Sequence, residues 1–149
     1  MDASSGLPTG YLLTKLGQLT TAAFADRIEI LGIRPKHYGL LVAIAMTPAG
    51  SQTDLGRAIG VVPSAIVSML DDLETRGAVA RVTDPLNRRR FVIELTESGK
   101  ILLERARRMG DEVDAQLLKG LSPDQLAELH GALTAAATAN GIGLIAPPS

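Results

Sequence analysis

The chain has 149 residues, enough for one domain with a buried core and short for two independent ones. It contains no cysteine, which excludes disulfide scaffolds, thiolate-held zinc, iron–sulfur clusters and thiol-based redox sensing. The net charge of −1 looks wrong for a nucleic-acid binder, but it hides an island at residues 76–108, where nine basic and four acidic side chains lie between two acidic flanks.

Residues 1–10 hold Gly, Ser and Pro and read as a loose lead-in. From Tyr11, the apolar positions Leu12, Leu16, Leu19 and Ala23 recur at helical spacing until Gly32 and Pro35 interrupt them. Pro35 suits the first turn of a second helix that runs through Tyr38, Leu41, Val42 and Ala45 to Met46, and residues 47–50 (Thr-Pro-Ala-Gly) stop it. Ser51 and Asp54 form a capping-box pattern that opens a short helix carrying Leu55, Ala58 and Ile59 and ending at Gly60. Pro63 opens the next helix, with Ile66, Met69, Leu70 and Leu73 on one face and Gly77 past its end. Two helices joined by a few residues around a glycine make a helix-turn-helix pattern over residues 51–77.

Val79–Val82 and Phe91–Leu95 are short β-prone runs with Asp84, Pro85, Leu86 and Asn87 as a turn between them. The expected hairpin carries Arg88, Arg89 and Arg90 at its tip. Thr96 then caps a long helix from about Glu97 to Leu118, with Glu104, Arg105, Arg107 and Arg108 on its outer side. Ser122, Pro123 and Gln125 open a last helix through Leu126, Leu129 and Leu133, ending near Asn140 and Gly141.

This order of elements resembles the MarR family of multiple-antibiotic-resistance regulators. The stretch from Asp84 to Gly99 is similar to the family's wing signature: an Asp-Pro turn, an Asp-x-Arg triplet, then a strand ending in Leu-Thr-x-x-Gly. Leu73–Val79 resembles the end of its recognition helix, and Leu31–Pro35 the approach to its second helix. The resemblance spans about residues 10–140 and implies a mainly α fold with a small β wing: a winged helix-turn-helix at 34–99, flanked by dimerisation helices at 10–33 and 100–140. Two positions depart from the pattern. Asn87 replaces the usual Asp, and Val62 stands where a polar helix cap is usual.

The helix opened by Pro63 turns Ser64, Val67, Ser68, Asp71 and Thr75 away from its apolar face. Its N-terminal part enters the major groove in this motif, so Ser64, Ala65, Val67 and Ser68 are the candidate base readers. Hydroxyls pair with base edges or phosphates, and Ala and Val contact thymine methyls. None is Arg or Lys, and Asp71 would repel phosphate. Arg88, Arg89 and Arg90 are the candidate wing contacts. The resemblance makes Arg89 the residue inserted into the minor groove and the other two phosphate contacts. It also implies a homodimer on palindromic double-stranded DNA and a small aromatic or anionic effector. The candidate ligand contacts are Tyr11, Arg34, His37 and Tyr38, each of which also reads as ordinary structure.

No catalytic residue, cofactor or metal site is expected. The chain has no Gly-rich phosphate loop, and two histidines without cysteine do not make a metal centre. No run of 18 apolar residues lacks polar breaks, and the N-terminus lacks the basic start and apolar core of a signal peptide, so the expected location is cytoplasmic. The competing reading is a winged-helix dimer that binds a small molecule or a protein and has lost strong operator affinity, motivated by the Arg-free reading face and Asp71.

Overall fold

The protein is described here by a computed structural model covering residues 6–142. The elements follow the expected order. Helix α1 (Thr9–Ile28) runs into a 3-10 turn at Glu29–Leu31, followed by α2 (Pro35–Met46), α3 (Gln52–Ile59) and α4 (Pro63–Thr75). An antiparallel hairpin of β1 (Val79–Asp84) and β2 (Asn87–Leu95) leads into α5 (Glu97–Leu117) and α6 (Pro123–Ala139).

Local chemistry explains the boundaries. Ser51 and Asp54 exchange the two hydrogen bonds of a capping box at α3, and Ser122 and Gln125 do the same at α6. Helix α4 ends in a Schellman turn: the Gly77 N–H donates to the Glu74 carbonyl and the Ala78 N–H to that of Leu73, which requires the left-handed φ of +70° at Gly77. Helices α3 and α4 bend by 108° across Gly60–Val62, the geometry of a helix-turn-helix. Among the described residues no single helix is long and apolar enough to cross a membrane.

The core is aliphatic, as composition requires. Leu40 and Leu41 of α2, Leu55 of α3, and Ile66, Leu70 and Leu73 of α4 are fully buried, joined by Val79, Ile93, Ala106 and the end of α1 at Ile28. Burial of each such Leu or Ile is worth about 1.5–3 kcal/mol. Ala58, read as part of the apolar face of α3, is exposed instead. The stem is different: Ile28 is the one buried residue of α1, and α6 has none. Leu12, Leu13, Leu16 and Leu19 of α1 and Leu126 and Leu133 of α6 are exposed, and several line a groove of about 700 Å³ between α1, the end of α5 and α6.

The hairpin departs from the expectation. Strand β2 begins at Asn87 rather than Phe91, so the three arginines lie on the strand and the tip is Pro85 and Leu86. Thr83 pairs with Phe91 but Asp84 pairs with Asn87, which leaves Arg88, Arg89 and Arg90 opposite no residue of β1, as a bulge. Side-chain acceptors hold this turn: Asp84 accepts the Leu86 N–H at 2.9 Å and Asn87 accepts that of Arg89 at 3.1 Å. Asn87 thus braces the backbone of Arg89, a bond that a neutral amide makes as well as a carboxylate.

The hairpin is joined to α5 by one tight contact. The Ala78 carbonyl accepts the Thr96 N–H at 3.0 Å, while the Thr96 hydroxyl donates to the Gly77 carbonyl and accepts the Gly99 N–H. A Cβ on Gly99 would overlap the Ala78 carbonyl oxygen. Gly99→Ala is therefore expected to lower stability by about 1–3 kcal/mol, the usual range for overpacking against backbone. Urea unfolding checks it, and an unchanged midpoint would show that the contact relaxes freely.

Candidate nucleic-acid interface

Helix α4 buries Ile66, Met69, Leu70 and Leu73 and exposes Ser64, Val67 and Ser68, with Ala65 half-buried between the two faces. Val62 stands at the N-cap without a side-chain acceptor, and its carbonyl takes the Ala65 and Ile66 N–H groups. Pro63 has no N–H, so the Ser64 N–H is left without an acceptor among the described residues, at the exposed positive end of the helix. The missing cap thus leaves a donor free for an anion.

Asp71, on the same exposed side, is paired. Arg81 of β1 donates to Asp71 at 2.9 Å and to Glu74 at 2.7 Å, so these two carboxylates of α4 are compensated locally. The wing arginines divide in the same way. Arg90 reaches back to Asp54 of α3 at 2.8 Å and to the Ala49 carbonyl at 3.4 Å, with Asp84 at 3.9 Å. Ala49 is itself held at φ +56°, a conformation costing about 1–2 kcal/mol, and the Ile93 N–H donates to Gly50 beside it at 3.0 Å. Arg90 is therefore committed to fastening the wing to the turn before α3. Arg88 and Arg89 are exposed and have no carboxylate partner among the described residues.

The four candidate ligand residues fall into three places. Arg34 and His37 line an open hollow between the start of α2 and the end of α4. His37 is buried with both ring nitrogens engaged: Nδ1 accepts the Arg34 N–H at 3.0 Å, and Nε2 faces Asp72 of α4 at 3.2 Å. Its position is that of a staple between two helices. Tyr38 is half-buried, edge-on to Phe24 with centroids 5.1 Å apart, in a separate pocket of about 290 Å³ between α1, α2 and α5. Tyr11 lies on the exposed part of α1 with the Lys15 ammonium 5.6 Å from its ring, and lines neither space.

Sequence reading missed most of the Tyr38 pocket. Thr20 and Thr21 of α1 and Arg107, Gly110 and Asp114 of α5 are among its walls. Arg107 had the pattern of a solvated helix face, and its pairs with Glu104 at 2.8 Å and Asp111 at 3.0 Å agree with that. The pocket exists because α5 crosses α1 and α2, which no local pattern encodes. Burial pushes the Tyr38 phenol above its ordinary value against the pull of Arg107, and burial beside Asp111 raises the Asp114 carboxyl.

A helix-turn-helix, a bulged two-stranded wing and flanking stem helices define a winged-helix protein. The sequence profile of the MarR family matches residues 31–90. Three solved structures share the fold along most of this chain. The MarR family protein Rv2887 of Mycobacterium tuberculosis in complex with DNA is 29% identical, with 87% of this chain and 98% of that one covered and a TM-score of 0.76. The same protein with salicylic acid is 28% identical, with 89% and 98% covered and a TM-score of 0.73. CouR of Rhodococcus jostii RHA1 bound to p-coumaroyl-CoA is 28% identical, with 92% and 96% covered and a TM-score of 0.74. The profile match covers the helix-turn-helix and most of the wing, and along most of its length the chain is similar to MarR family proteins of known structure.

The division of the wing arginines is testable without any ligand. Arg90→Ala should lower stability by up to about 1 kcal/mol, the ceiling for a half-exposed ion pair, whereas Arg89→Ala should stay within about ±0.5 kcal/mol. Hydrogen bonds from the Ser51 N–H and hydroxyl, with Arg90 nearby, hold the Asp54 carboxyl below the usual carboxylate range. The Asp54 contribution is thus complete above the ordinary pKa of about 4 and disappears as pH falls through the lowered folded value. Thermal melts of both variants at neutral pH and near pH 3 check this; equal losses for Arg89 and Arg90 would overturn the division.

Proposed function

We infer that the protein is a sequence-specific DNA-binding transcriptional regulator, acting as a homodimer on a palindromic operator and released by a small effector, hence a repressor. One observation carries the reading: Arg88 and Arg89 are uncommitted cations held on a braced bulge, on the same domain as the exposed N-terminal face of α4. On this reading Ser64, Ala65, Val67 and Ser68 face the major groove, with the free Ser64 N–H on a phosphate, and Arg89 enters the minor groove with Arg88 beside it. Arg90 contributes by fixing the wing. The DNA complex of the Mycobacterium tuberculosis relative supports the assignment.

Dimerisation is supported by the exposed leucines of α1 and α6, an apolar surface larger than a solitary stem leaves in water. A two-fold axis through that stem sets two copies of α4 on successive major grooves. The Tyr38 pocket is the proposed effector site, since it joins the stem helices α1 and α5 to α2 of the winged domain. The salicylic acid and p-coumaroyl-CoA complexes of the relatives support an aromatic acid there. The Tyr38 phenol is protonated at neutral pH, so it can donate a hydrogen bond to such an acid. A bound ligand biases the spacing of the winged domains by no more than its differential affinity for the two spacings.

The test is fluorescence anisotropy with the protein's own upstream DNA and a scrambled duplex. Arg89→Ala should weaken operator binding by about 1–3 kcal/mol. Ser64→Ala with Ser68→Ala should change the preference among operator variants more than the affinity for scrambled DNA. The absence of Arg and Lys from the exposed face of α4 favours a second reading, a winged-helix dimer that binds a ligand or a protein in place of an operator. Equal affinity for operator and scrambled duplex would decide for it. Leu16→Glu with Leu133→Glu should halve the mass seen by sedimentation while the winged domain keeps its fold, and a persistent dimer would remove the stem from the interface.

A further inference from the structure

The hollow between α2 and α4 has a chemistry unlike that of the Tyr38 pocket. Arg34 comes from the N-cap of α2, Lys36 from its first turn and Arg76 from the end of α4, and none has a carboxylate partner among the described residues. The one carboxylate in the hollow, Asp72, is engaged by His37. Three cations and one carboxylate leave a net charge of +2 around a space of about 660 Å³. Gathering like charges without a counterion is unfavourable, and the field they make is that of an anion site.

Two features show that the site is built. The α1–α2 connection turns at Gly32 with φ +73°, and the place of a Cβ there is taken by Nη1 of Arg76, so a bare backbone makes room for the guanidinium to cross from α4 toward the start of α2. Pro35 has no N–H, and the His37 and Tyr38 N–H groups both go to the Arg34 carbonyl. This leaves the Lys36 N–H, at the positive end of a 12-residue helix, without an acceptor among the described residues. The Thr75 hydroxyl borders the same space.

We propose that this hollow binds the dianionic phosphate group of a small phosphorylated molecule, with Arg34, Lys36 and Arg76 as its cations and the Lys36 N–H as a backbone donor. The charge of a phosphate dianion matches the hollow, guanidinium forks suit its oxygens, and the volume leaves room for the rest of the molecule. A DNA phosphate is the less suitable source. Arg76 lies twelve residues beyond Ser64, about 18 Å along the helix from the end proposed to face a duplex. The site is independent of the Tyr38 pocket and of the DNA-binding reading.

Inorganic phosphate is the probe, titrated into the full-length protein at millimolar concentration while amide shifts are followed by NMR, with chloride at matched ionic strength as control. The Lys36, His37, Thr75 and Arg76 amides should shift saturably with phosphate and not with chloride. Arg76→Gln with Lys36→Gln should weaken that binding by about tenfold or more, as loss of charge-assisted bonds implies, with an unchanged melting temperature without phosphate. Arg88→Gln with Arg89→Gln should leave it intact. Shifts confined to the wing, equal shifts with chloride, or shifts at these amides only when duplex DNA is added would each overturn the proposal. Failure of duplex binding alone would leave it standing.

Discussion

The contact of Ala78 with Gly99 fixes how the winged domain meets the stem. The end of α4, the start of the hairpin and the first turn of α5 converge there, and the Ala78 carbonyl occupies the space a side chain at position 99 would need. Thr96 serves both sides, capping α5 through Gly99 and donating to Gly77 at the end of α4. The glycine that closes the Leu-Thr-x-x-Gly stretch thus has a steric cause.

Within the basic island, five of the nine cations are paired with carboxylates of the same chain. In the basic island, Arg81 holds Asp71 and Glu74, Arg90 holds Asp54, Lys100 holds Glu97, and Arg107 and Arg108 share Glu104. Arg76, Arg88, Arg89 and Arg105 have no such partner among the described residues. A partner therefore meets a positive field at the wing and at the hollow beside α2, while total charge stays near neutral. Screening acts on exposed charges beyond about 8–10 Å at physiological salt, so association through the wing is salt-sensitive.

Much of this was readable in the sequence because it is local. Pro35 and Met46 bound α2, Ser51 with Asp54 and Ser122 with Gln125 cap their helices, and the apolar period of α4 places its four buried residues. The hairpin was read short because three adjacent arginines resemble a solvated turn, and only the Thr83–Phe91 pairing shows them as a bulge. Arg90 with Asp54 is a contact across 36 residues, and His37 with Asp72 across 35, so neither leaves a local signal. The ligand candidates were grouped by nearness in sequence. Arg34, His37 and Tyr38 lie within two turns of α2, yet helical geometry sends Tyr38 toward α1 and α5 and the other two toward α4.

On the DNA reading, the reading face of α4 constrains how specificity can arise. A bidentate pair from Arg or Asn to a base is worth about 1–3 kcal/mol of discrimination, and this face has none. Hydroxyls and the Val67 methyls discriminate less, so one half-site is read weakly. The remaining sources are groove width, sensed by Arg89, and the fixed spacing of two half-sites across a dimer. Specificity that rests on spacing makes binding sensitive to the angle between stem and winged domain, and that angle is set at two connections. The Gly99 joint is closely packed, whereas α1 and α2 are linked through Gly32 and a short 3-10 turn, with the Tyr38 pocket on one side and the Arg76 hollow on the other. On that reading a ligand in the Tyr38 pocket, lined by α1, α2 and α5, acts where the stem meets the winged domain, so even modest differential binding energy there changes the spacing that operator affinity depends on.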